Sequence, residues 1–118
     1  MGKFRYFRFL QPKSALLVMV SSALLASSVT LADEQPTPTR QVELMTLLRH
    51  DCGSCHGLTM KGGLGPPLLP DTLAGKDKPA LVGIILDGVP GKPMPPWRFE
   101  LQPEEARWLV DRLREGLK

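Results

Sequence analysis

Three stretches of the chain carry a helical rhythm of apolar positions. In the first, which starts near Arg40, Leu44, Leu48, Cys52 and Cys55 follow one another at steps of four, four and three, on one face of a helix. Val42 and Met45 widen that stripe. The second covers Lys78 to Asp87, with Leu81, Ile84 and Ile85 as its apolar positions. Pro79 suits its first turn, where a missing N–H costs nothing, and Gly88 suits its end. The third starts near Pro103 and aligns Ala106, Leu109, Val110, Leu113 and Leu117. Its acids, Glu104 and Glu105, come first, and Arg112, Arg114 and Lys118 come last, as the helix dipole favours. The segments between, Met60 to Pro70 and Val89 to Pro96, are dense in glycine and proline and predict loops. Strand alternation, repeats and a second domain are not evident, so the pattern predicts a small all-α domain.

The first predicted helix ends on Cys52-Gly53-Ser54-Cys55-His56. Two thiols at this spacing followed at once by an imidazole form a c-type haem attachment site. Each cysteine can form a thioether to one former vinyl group of a porphyrin, and His56 then lies beneath the iron as proximal ligand. Other readings of a Cys-x-x-Cys pair are a thioredoxin-like redox couple, half of a zinc site or a short disulfide. The first lacks its βαβ context, and the second lacks further cysteines or a downstream histidine cluster, since the chain has only 2 Cys and 2 His. His50, the other histidine, falls off the apolar stripe and reads as a solvated helix residue.

A second axial ligand is sought among 5 methionines. Met1 and Met19 lie in the N-terminal segment, Met45 on the apolar face of the first helix, and Met60 only four residues past His56. Met94, held between Pro93 and Pro95 in a stiff loop, is free to approach the opposite face of a haem. Met/His ligation belongs to electron-transfer cytochromes, because a thioether favours ferrous iron. His56 also needs an acceptor for its other ring nitrogen, and Gly65-Pro66-Pro67-Leu68 is placed to supply a backbone carbonyl.

Residues 1–32 read as an export signal: Lys3, Arg5, Arg8 and Lys13, then an apolar run from Ala15 to Ala26, then Thr30-Leu31-Ala32 as cleavage site. An uncleaved membrane anchor is the alternative, and would be the only route to a membrane. Without that segment the formal charge of +3 becomes about −1, because 11 basic residues then face 12 acidic ones. Basicity therefore offers no argument for nucleic-acid binding. Residues 33–39 read as a flexible lead and 40–118 as the functional domain. That leaves about 86 residues, a size at which covalent haem is needed to complete the core. The cofactor's attachment outside the cytoplasm agrees with a periplasmic protein. Lys61 and Lys92 flank the two loops, with Lys76 and Lys78 nearby, while acids gather towards the last helix.

With these pieces the chain resembles class I monohaem cytochromes c from about Glu43 to Leu117. The resemblance rests on Cys52 to His56, the Gly-Pro-x-Leu segment at Gly65 to Leu68, Pro93-Met94-Pro95 and Trp108-Leu109 in the last helix. The doubled proline Pro66-Pro67 falls where the family varies. Longer strings, from Cys52 to Leu68 and from Gly91 to Trp97, are most like the NirC-type cytochromes of denitrifying bacteria. The resemblance implies three main helices and loops wrapped around one covalent haem c. It implies axial ligands His56 and Met94, a Pro66 carbonyl accepting from His56, and Trp108 packed on the first helix. It further implies a non-enzymatic, monomeric one-electron carrier serving the cytochrome cd-type nitrite reductase. An accessory electron acceptor in haem d maturation is the alternative, with a ligand-binding or enzymatic haem protein open at its sixth site behind it.

Overall fold

The computed structural model describes residues 35–117. The expected signal and the start of the lead fall outside them. The described residues form helices and loops, without strands: α1 (Pro38–Leu47), a π-helical turn (Leu48–Cys52), α2 (Gly53–His56), α3 (Pro70–Leu73), α4 (Lys78–Asp87) and α5 (Pro103–Glu115). The three longest helices fall where periodicity predicts them, and α4 has the predicted bounds. Helix α1 starts at Pro38 rather than Arg40 because Thr37 caps it: its Oγ1 accepts from the Arg40 N–H at 3.3 Å. Asp77 caps α4 in the same way, accepting from the Ala80 N–H at 2.9 Å.

Helix α5 is the keel on which α1, α3 and α4 pack. It buries Ala106, Trp108, Leu109, Val110 and Leu113 against Leu44, Leu48, Met60, Leu73, Val82, Leu86 and Leu101. Two expected inward positions need correction. Val42 is 69% exposed, since it lies about 200° round the helix from the buried Leu44. In α4 the side chains buried against the protein are Val82 and Leu86, whereas Leu81 and Ile85 are half-buried and Ile84 is exposed. Helix α4 is apolar nearly all round, so periodicity alone could not choose its inner face. That leaves it a second apolar face beyond the one α5 uses.

Glu105 ties α1 to α5. One carboxylate oxygen accepts from the Gln102 N–H at 2.8 Å, completing a capping box, and the other accepts from Arg40 Nε at 2.6 Å. The Arg40 guanidinium holds the Glu105 carboxyl below the usual range. A carboxylate lowered in this way contributes stability above its unfolded pKa, about 4.3, and that stability is lost as pH falls through the folded value. Glu105→Gln is therefore expected to cost the holoprotein about 1–2 kcal/mol at pH 7, and less as pH falls below the ordinary carboxylate range. Urea melts at pH 7 and at successively lower pH measure this, and a cost that does not fall with pH would refute the ionic tie.

Candidate haem-attachment site

Helix α1 does not run smoothly into the cysteines. The π-turn Leu48–Cys52 takes up one extra residue per turn before α2 resumes the α-helical winding at Gly53–His56. Gly57, at φ +84°, then stops the helix and the chain doubles back. The carbonyls left without partners at this helix end are satisfied by the returning loop. Gly65 N–H donates to Cys55 O at 2.9 Å and Gly62 N–H to His56 O at 2.8 Å. Loop 57–68 is thus lashed to the back of the attachment motif.

Its glycines allow a very close approach. A Cβ on Gly65 would lie 2.6 Å from both Cε1 and Nδ1 of the His56 ring. His56 itself is buried, 8% exposed, and its Nδ1 stands 2.7 Å from Pro66 O. A carbonyl can only accept, so Nδ1 carries the proton and donates. The neutral ring then keeps its lone pair on Nε2, the form a metal requires.

Cys52 and Cys55 are half-buried and not joined in a disulfide. Burial, with the Asp51 charge beside it, pushes the Cys52 thiol up to about 11. Thioredoxin-like pairs work through a lowered thiol, so this environment speaks against that reading. Among the described residues no group of three or more His, Cys, Asp or Glu gathers as a zinc site would need.

Cys52, Leu68, Leu81, Ile85 and Trp97 all pack against the core yet stay only partly buried. Two thiols at this spacing, an imidazole that keeps its Nε2 lone pair and apolar side chains left partly uncovered are the chemistry a covalent haem asks for, so the residues present fit one. The π-turn and the Gly65 contact are the parts of the site that sequence reasoning missed. The glycine density after His56 was the available signal for the second.

The methionines separate clearly. Met60 is buried beneath the motif at 2% exposure and belongs to the core. Met45 lines a groove of about 450 Å³ between α1 and α5, together with Trp108 and with Arg112, whose guanidinium lies 5.3 Å over the Trp108 ring. That groove touches none of Cys52, Cys55, His56 or Met94. Met94 is half-buried in the proline-braced loop, and its carbonyl accepts from the Val89 N–H at 3.1 Å. His50 is exposed. Of the four lysines near the loops, Lys78 is tied to Asp111 at 2.8 Å, while Lys61, Lys76 and Lys92 are exposed.

Comparison with known proteins adds to this geometry. Residues 41–111 match the family model described as cytochrome c oxidase, cbb3-type, subunit III. Cytochrome c55X of Pseudomonas aeruginosa is 56% identical over 86 residues, 73% of this chain and 72% of the relative. Cytochrome c55X of Paracoccus denitrificans is 47% identical over 98 residues, 83% of this chain and 88% of the relative. Among solved structures, the c-type cytochrome NirC aligns at 54% identity with a TM-score of 0.67, covering 68% of this chain and 94% of its own. Dihydro-haem d1 dehydrogenase NirN aligns at 33% identity with a TM-score of 0.57, covering 62% of this chain but 16% of that protein.

Proposed function

Since the chain belongs to the cytochrome c family, beside the cytochromes c55X, and so carries one covalent haem c, we propose that it is a periplasmic one-electron carrier with its iron held between His56 and Met94. The observation that carries this reading is the 2.7 Å bond from His56 Nδ1–H to Pro66 O. It orients the imidazole and presents Nε2 as ligand. Cys52 and Cys55 form the two thioethers. Bound there, the haem supplies a reversible one-electron iron couple. Met94 offers the soft thioether that favours the reduced state, and the prolines on either side of it limit how far it can withdraw. Two protein ligands leave no position for substrate, which supports a carrier rather than an enzyme. Among the described residues no helix is long and apolar enough to cross a membrane, and the basic-apolar N-terminal pattern supports export.

Met94→Ala tests the ligand set. The oxidised variant is expected to lose completely the weak near-infrared band of methionine-ligated ferric haem, and its reduced form to bind carbon monoxide. An unchanged spectrum would remove Met94 from the iron.

Similarity to NirC supports a partner in dissimilatory nitrite reduction, the haem cd-type reductase. The match to NirN favours a second reading: a dehydrogenase must hand on its electrons, and this chain would take them during haem d maturation. Deleting the gene separates the two. A reductase that keeps its d-type haem but is starved of electrons supports delivery. A reductase lacking the d-type haem supports maturation. A reductase intact and fully supplied would contradict both.

A further inference from the structure

Helix α4 ends at Gly88 in an unusual way. Its φ of +68° and ψ of −170° lie in a backbone region open essentially to glycine alone. Gly88 N–H is not followed by the customary αL turn. Instead the carbonyls of Ile85 and Leu86 both accept from the Trp97 N–H, at 3.2 and 3.1 Å, twelve and eleven residues on. The chain between them is a closed loop, drawn together at its neck by the bond from Val89 N–H to Met94 O.

The base of this loop rests on the bare Cα of Gly88. A Cβ there would lie 2.6 Å from Met94 O, 2.8 Å from Pro95 C and 2.8 Å from Pro96 N. All three are backbone atoms, so no side chain can swing aside. Pro93, Pro95 and Pro96 fix φ and donate no hydrogen bonds, so the segment cannot absorb a push by local rearrangement. It moves as a unit, and Met94 moves with it.

We propose that Gly88 is the positioning residue for the sixth ligand: its missing side chain is the seat that holds Met94 at the iron. This rests on the reading of Met94 as ligand. It goes beyond a helix stop, since any glycine could end α4 without touching the methionine segment.

The test uses holoprotein variants with Met94→Ala as reference. Gly88→Ala is expected to reduce the near-infrared methionine–iron band to roughly a tenth or less, a shift typical of one strained backbone position. Its reduced form then binds carbon monoxide as Met94→Ala does. Gly91→Ala is the control: it has φ +73° in the same loop, but a Cβ there meets nothing within 4 Å. It likewise places an alanine at a positive φ but without the backbone clash, and should keep the band. If Gly88→Ala does not accumulate, Val89→Pro withdraws the N–H from Met94 O without adding an atom at position 88, and should weaken the band in the same direction. A full band in whichever of these two variants is obtained, or equal loss in Gly91→Ala, overturns the proposal. A full band in Met94→Ala overturns the ligand assignment itself, which is a separate failure.

Discussion

A protein with Cys52→Ser and Cys55→Ser is expected to show no cooperative thermal melt, even though every other residue is retained. Among the described residues the buried core holds twelve apolar side chains, few for a domain of this length, and much of it is supplied by α5 alone. Around it, Leu68, Leu81, Ile85 and Trp97 are only partly covered by protein. Each square ångström of apolar surface left in water forgoes about 25 cal/mol, and a folded domain's whole margin is about 5–15 kcal/mol. Several partly exposed large side chains take up a substantial share of that margin, and in a domain this small little remains to replace them. Circular dichroism of the haem-free variant reads the result directly. A cooperative, native-like transition would mean that the helices close on themselves and that the cofactor is not part of the core.

Gly65→Ala is expected to have the next largest effect. The added methyl would sit 2.6 Å from two atoms of the His56 ring and 3.1 Å from a third. Gly65 cannot retreat, because its N–H is bonded to Cys55 O at 2.9 Å and its carbonyl accepts from Gly63 N–H at 3.0 Å. The imidazole must therefore tilt, and tilting breaks the bond to Pro66 O that fixes its tautomer. Overpacking of this kind costs about 1–3 kcal/mol, here concentrated on the proximal ligand. The yield of covalent haem per chain should fall, and the surviving product should show a weakened proximal bond in its optical spectrum. Gly75→Ala, at φ +73° with nothing within 4 Å of its Cβ, should leave both unchanged. Normal yield and spectrum in Gly65→Ala would mean that the loop is softer than its hydrogen bonds imply.

What the sequence reveals and what it hides follow from the range of each interaction. Cys52, Cys55 and His56 are legible because their chemistry depends on spacing within five residues. The bounds of α4 are legible because Asp77, Pro79 and Gly88 are local stop and start signals. The inner stripe of α5 is legible because its polar face is strongly charged. The inner face of α4 was not, because apolar residues nearly encircle it, and only the position of α5 selects Val82 and Leu86 over Leu81 and Ile84. The Arg40–Glu105 tie joins residues far apart in the chain, and either could have been an ordinary surface charge. Gly65 and Gly88 look like the other loop glycines in sequence. They differ only in what a side chain would strike, the His56 ring in one case and the Met94 segment in the other, and that is a property of the folded chain.

The central claim is that one iron, saturated by His56 and Met94, exchanges single electrons. A spectroscopically monitored redox titration of the purified wild-type holoprotein under carbon monoxide tests it most directly. The account predicts one Nernst transition for a single electron, a near-infrared methionine–iron band in the oxidised form, and a reduced form that leaves carbon monoxide unbound. A reduced form that binds carbon monoxide readily, or an oxidised form without that band, would contradict it.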